Sequence, residues 1–333
     1  MNVDSLADVP ALDPSFSLTH ALRHVALCGG RELDVDDLHA ALGLSFMTVA
    51  VPSLERVSLW PLAARDAFLV EAAQLFGMTV REVHPPEAAR GLDGAEEFAQ
   101  HFDASYRPLI ETALAHGQPV LAWAGWTGAA ERLWGLVNGP GEGPIGFAGT
   151  IIGADGAVNG HHVPFSRPPM QLYVVETVSA RTAAPDELLR CAIAHAGAAL
   201  GNRLSERFAV VTGPEAFDAW AARIACPSER QAGPCSEAVE HGRLAGSVIA
   251  AHRSGLRFLQ RWTEACGDGR RDLLQALARG CQDLVGALGG CTDLPNDRAK
   301  RSWTRQLASA IADAQSTSCR MLAALDAHLR AGP

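Results

Sequence analysis

Apolar residues first recur at three-to-four spacing between residues 17 and 28, where Leu18, Ala21, Leu22 and Val25 line one side of a helix stopped by Gly29 and Gly30. A second helix comes at once. Asp34 is its candidate N-cap, Asp36 and Asp37 suit the positive end of the helix dipole, and Leu38, Ala41 and Leu42 supply a buried stripe that ends at Gly43. The two predict a helical hairpin. Beyond it, helical periods over Leu62–Phe76 and Tyr106–His116 alternate with short β-like runs at Met78–His84, Gln118–Ala124, Arg132–Asn138, Phe147–Ile152 and Gln171–Glu176. The glycines and prolines of Gly139–Gly146 and Gly153–Pro169 read as turns. Helices first and strands later predict an α+β arrangement rather than a doubly wound parallel sheet.

The period changes after Thr177. The segment SARTAAPDE reads as a linker, and the remainder of the chain is helical almost throughout: Pro185–Arg203, Pro214–Ile224, Ser236–Ala265, Arg270–Leu288 and Asp297–Leu329 carry alanine and leucine at the spacing of helices that pack on one another. The expected organisation is an α+β domain over residues 1–178 and an all-α helical domain over residues 185–330.

With 333 residues and 48% hydrophobic content, the chain can build a core in each domain. The net charge is −9, and Lys300 is the only lysine among 28 basic residues, a bias of GC-rich bacterial coding rather than a basic binding surface. Nucleic acid and anionic membranes are therefore excluded as expected partners. The opening MNVDSLADVPALDPSF lacks the basic start and apolar run of a secretory signal. The apolar run near Leu44–Leu54 is interrupted by Ser45, Thr48 and Pro52, well short of the roughly 20 residues a membrane helix needs. A cytoplasmic protein is expected.

None of the eight cysteines forms a Cys-x-x-Cys pair. Cys191, Cys266, Cys281 and Cys319 lie in alanine-rich helical patterns and read as small buried hydrophobes. Cys226 and Cys235 flank the turn-rich loop CPSERQAGPC, placed either to bridge or to share a metal, yet no second Cys/His pair stands at ligand spacing. No glycine-rich phosphate loop precedes a helix. The expectation is no metal and no cofactor.

The segment Ser17-Leu-Thr-His-Ala-Leu-Arg-His-Val-Ala-Leu-Cys-Gly-Gly30, followed by an acidic helix ending in Ala-Ala-Leu-Gly43, resembles the opening of papain-like bacterial domains. That group includes the bacteriocin-processing cysteine peptidases and the N-terminal domain of butirosin-type acyltransferases. Their phrase is Cys-Gly-Pro-Thr-Ala-Leu-Arg, then a glycine, then a helix ending Leu-Leu-Gly. Laid on it, Ala21, Leu22, Arg23, Gly30, Leu38 and Gly43 coincide, and Ser17 stands where the nucleophilic cysteine belongs. A second match is Gly117-Gln-Pro119-Val120 leading to Leu133-Trp-Gly-Leu-Val-Asn-Gly139, against the family's Gly-x-Pro-Val and a strand opening His-x-Val-Val-Val-x-Gly. Leu133 takes the histidine position. The resemblance spans Ser17–Glu176 and implies a papain-like N-terminal domain, a helical hairpin with an antiparallel sheet.

A papain-like site holds its cysteine as thiolate with a helix N-terminus and a histidine. Here both residues differ, and the upstream glutamine of the oxyanion hole is not evident in Ala-Leu-Asp-Pro-Ser-Phe. Without a base a serine is a poor nucleophile, so Ser17 reads first as an N-cap. His161 and His162, in the glycine-rich run Asn159-Gly-His-His-Val-Pro, are the candidates for a relocated base, while His20 and His24 at i and i+4 read as solvated residues before metal ligands. Trp123, Trp126 and Trp134 cluster on or beside two strands expected to pair, and with Leu133 and Asn138 they form the candidate ligand-binding wall. The leading expectation is a pseudoenzyme that binds a peptide or small amide-bearing ligand, with the helical domain as lid or homodimer surface. The alternatives are an acyl-transfer or amide-hydrolysing enzyme using Ser17 with a relocated histidine, and a purely structural interaction protein.

Overall fold

The computed structural model describes residues 14–50, 67–83, 100–130, 133–152, 158–169, 171–180, 183–204, 210–225, 234–265, 268–292 and 300–331. In chain order the elements are α1 (Pro14–Cys28), α2 (Val35–Ala41), β1 (Val49–Ala50), α3 (Leu69–Leu75), β2 (Met78–Glu82), α4 (Arg107–Ala115), β3 (Val120–Trp123), β4 (Trp134–Pro140), β5 (Phe147–Ile152), β6 (Val158–Pro164) and β7 (Gln171–Val178). Then come α5 (Pro185–Leu200), β8 (Val211–Thr212), α6 (Pro214–Ala225), α7 (Pro234–Ala265), α8 (Asp268–Leu288) and α9 (Lys300–Ala331). The protein is α+β, with helices and antiparallel sheets. Among the described residues no helix is long and apolar enough to cross a membrane.

The chain divides into two compact units, one of Met1–Val35 with Leu69–Ala183 and the other of Asp36–Phe68 with Ala184–Pro333. The later break falls between Ala183 and Ala184. The segment from Asp36 does not stay with the N-terminal domain, so the expected hairpin of α1 and α2 is not one structural unit. The reason is side-chain chemistry that the local pattern does not carry. Asp36 accepts hydrogen bonds from Ser254 (2.6 Å) and Arg257 (2.7 and 2.8 Å), and Asp37 accepts from Arg261 (2.5 Å) and the Trp262 indole (3.1 Å), all on α7. The acids that suit the start of α2 are thus also tethers to a helix more than two hundred residues on.

In the first unit six strands form one antiparallel sheet in the order β2-β7-β3-β4-β5-β6. Strands β3 to β6 run as a meander, and β7 returns to lie between β2 and β3. The period of two sends alternate residues to opposite faces. One face carries Val120, Ala122, Val137, Ile151, Leu172 and Val174 and packs with Phe102, Tyr106 and Ile110 from α4 and the π-helical turn before it. On this face Trp126 is fully buried, stacks on Phe165 at 3.9 Å, and donates its indole N–H to the Leu133 carbonyl at 3.1 Å. Two glycines make room for that indole. A Cβ on Gly135 would stand 2.9 Å from Trp126 Cζ2, and one on Gly149 would stand 2.6 Å from its Cη2. On the other face α1 lies against β4 and β5, and α3 against β2. Burial of Leu18, Ala21, Leu22, Val25 and Ala26 accounts for the apolar side of α1.

Strands β2, β3, β4, β5 and β7 fall within the expected runs or overlap them, but β6 occupies a stretch expected to be turns. Its sequence Val-Asn-Gly-His-His-Val-Pro is held by pairing with β5, with a bulge between Gly149 and Ile151 that absorbs the irregularity. The N-terminal end of the predicted Leu62–Phe76 helix lies outside the described residues.

The second unit has a short ribbon of β1 and β8 and a helical body in which α8 packs on α7 and α9. Its core joins Phe217 and Trp220 of α6, Leu244, Val248 and Ile249 of α7, Leu284 and Leu288 of α8, and Leu307, Ile311 and Ala314 of α9. Gly255 lets α7 approach the 3-10 turn Leu44–Phe46, since a Cβ there would meet the Ser45 carbonyl at 3.0 Å.

Candidate functional site

Ser17 lies within α1, in its first turn rather than before it, and it is buried. Pro14 takes the first helical position, where a missing N–H costs nothing. The Ser17 hydroxyl is turned to the sheet, where its oxygen accepts the backbone N–H of Trp134 at 3.2 Å. It therefore ties the helix to the first residue of β4. An oxygen that accepts a hydrogen bond has electron density drawn away from it, the reverse of what a general base does to a nucleophile.

The residue opposite Ser17 is Trp134, and Leu133 is not on that face. Leu133 belongs to the core around α4, with its carbonyl occupied by Trp126 and Ala124. Trp123 pairs with Trp134 on one side and with Gln171 on the other, so the three form a row across β7, β3 and β4, all on the face that α1 covers in part. Tyr173, diagonal to Trp134, brings its ring to 5.9 Å and donates its hydroxyl to Glu82 at 3.2 Å.

Two polar atoms in this row stand out. Trp134 is fully buried and its Nε1–H has no hydrogen-bond partner among the described residues; the same is true of the buried Gln171 Oε1. A buried polar atom left without a partner costs about 1–3 kcal/mol, and here a donor and an acceptor stand two strands apart on one face.

The expected ligand wall is thus divided. Trp123, Trp134 and Asn138 share a face by the alternation of their strands, whereas Trp126 and Leu133 are built into the opposite core. Asn138 is exposed and its amide donates to Thr150 Oγ1. His162 is exposed on β6 with a left-handed φ of 71°, two strands from β4, and the side chain of His161 lies outside the described residues. His20 is buried with its ring tilted against Phe16 at 5.9 Å, so it is not the solvated residue expected. Among the described residues no three His, Cys, Asp or Glu side chains group as metal ligands.

Sequence reasoning missed Gln171 and Tyr173. The signal was present: Gln171 opens the strand Gln-Leu-Tyr-Val-Val as a polar residue in an otherwise apolar run, but its face is set only by pairing with Trp123. On the α4 side, burial first and Glu82 second push the Tyr106 phenol up to about 12, so it stays a neutral donor at physiological pH.

Fold and site together define an α+β protein with an aromatic and amide row on one sheet face. No protein-family model matches the chain, and neither a curated protein nor a solved structure matches it.

Proposed function

We propose that the first unit is a papain-like domain without peptidase chemistry that binds a peptide or small amide-bearing ligand over the row Gln171, Trp123 and Trp134. The observation that carries this is the pair Trp134 Nε1–H and Gln171 Oε1, which share one face and have no hydrogen-bond partner among the described residues. An amide offers both a carbonyl to accept from the indole and an N–H to donate to the glutamine, and the Trp123 ring gives its apolar part a surface. The hydrogen bond accepted by Ser17 supports binding rather than attack.

The test is a fluorescence titration of the full chain with a panel of N-acetylated dipeptide amides, each incubation followed by mass spectrometry. Saturable binding with the amide recovered intact is expected, weakened about tenfold in Gln171→Leu, which leaves one ligand N–H unpaired. Hydrolysis or acyl transfer that disappears in Ser17→Ala would overturn the non-catalytic assignment. Binding that is indifferent to Gln171→Leu would overturn the site.

A further inference from the structure

Trp134 Nε1–H can only donate and Gln171 Oε1 can only accept, and both atoms are buried with no hydrogen-bond partner among the described residues. Their placement is set by register. Trp123 pairs with Trp134 on β4 and with Gln171 on β7, so the three stand in a straight row across the strands on one face, with Trp123 in the middle. Two strand spacings put the outer backbones about 9.5 Å apart. Trp134 is fully buried while Trp123 and Gln171 are half-buried, so the row is reached from its β7 side.

The shape of an amide decides what can bridge such a pair. In a trans amide the C=O and N–H leave opposite edges of one planar group, so a donor on the oxygen and an acceptor on the nitrogen stand about 8 Å apart. That is close to the width of the row, and the two side chains need lean inward only slightly. In a cis amide, as in a lactam or a cyclic dipeptide, both groups leave the same edge, and their two partners must come within about 3 Å of each other. Trp123 occupies the face between them and opposes that approach. A tertiary amide has no N–H to offer Gln171 at all.

We propose that the row selects trans secondary amides and rejects cis and fully N-substituted ones, so that its ligands are linear peptides or N-acyl amides rather than cyclic dipeptides or lactams. The selection deepens the amide-binding reading of the first unit and rests on it. The ligand carbonyl points to Trp134 and its N–H to Gln171, so the amide lies across the row and the chain on either side of it runs along β3. Trp134 and Gln171 supply the hydrogen bonds, and Trp123 sets the specificity by keeping donor and acceptor apart.

The experiment uses the full chain and three probes of similar size: N-acetylalanine N-methylamide, whose amides are trans; cyclo(Ala-Ala), whose amides are cis; and N-acetylsarcosine dimethylamide, which has no N–H. Dissociation constants are read by NMR titration. The first probe is expected to bind about tenfold more tightly than either of the others, the worth of one hydrogen bond whose protein partner is otherwise left buried and unmade. Trp123→Ala should bring the ratio of linear to cyclic probe toward one, because donor and acceptor can then converge. Linear and cyclic probes that bind equally, both weakened by Gln171→Leu, would overturn the selectivity while leaving the amide site standing, and an unchanged ratio in folded Trp123→Ala would overturn it as well. No binding of any probe, or binding indifferent to Gln171→Leu, would overturn the site and this inference with it.

Discussion

Two buried histidines on α7 make the second unit acid-sensitive by an amount that can be worked out. His252 is fully buried, with Nδ1 bonded to the Val248 carbonyl at 2.9 Å, and burial lowers its pKa from the ordinary 6.5 to about 4, against a smaller opposing effect of that bond. His241 is also lowered to about 4, by burial first and Arg223 second, and its Nδ1 accepts the Trp220 indole N–H at 3.0 Å, so protonation there would displace a donor. Both folded values lie below the unfolded one. The unfolded chain therefore binds more protons between pH 6.5 and about 4, and stability present above 6.5 is lost as pH falls through that window. The whole shift is worth about 3 kcal/mol per histidine, and lowering pH from about 7.5 to about 5 removes about 2 kcal/mol of it from each. Urea unfolding followed by helical circular dichroism, at both pH values, measures this. The readout is the difference between the natural chain and His252→Leu, which should shrink by about 2 kcal/mol at the lower pH, with His241→Leu adding a similar amount. Differences that stay constant with pH would refute the argument, since a merely structural role for either ring is pH-independent.

Two further outcomes rest on packing and hydrogen bonding. Gly149→Ala should destabilise the first unit by about 1–3 kcal/mol, because the added Cβ would stand 2.2 Å from the Leu136 carbonyl and 2.6 Å from the Trp126 ring; a thermal melt followed by tryptophan fluorescence checks it, and an unchanged midpoint refutes the glycine argument. Asp36→Asn weakens three hydrogen bonds that a carboxylate accepts from Ser254 and Arg257, and it should cost about 1–2 kcal/mol of second-unit stability at low salt, less at high salt, by denaturant titration.

Much of the secondary structure was legible along the chain. Helical periods located α5 to α9 to within a few residues, because burying one face of a long helix imposes a strict spacing on its apolar residues. The strands β2 to β5 and β7 were legible as short β-like runs between turn residues rather than by alternation, since β5 is buried at all six positions. β6 was not, since Gly153–Pro169 is dominated by residues that locally favour turns, and only the partner strand β5 supplies its hydrogen bonds.

The candidate site divides along the same line. The sequence determined that Ser17 stands at a helix start, that Trp123, Trp126 and Trp134 cluster on or beside two strands, and that α5 carries a cysteine and a histidine one turn apart. Only the tertiary structure decided that Ser17 accepts the Trp134 N–H, that Trp126 and Trp134 face opposite sides of the sheet, that Gln171 joins the row, and that Ala41 and Phe68 hold His195 beside Cys191. The physical reason is range. Periodicity records which residues a single element must bury, whereas a hydrogen bond or ring stack between residues a hundred or more apart leaves no local pattern, because its partners are set by strand register and helix packing.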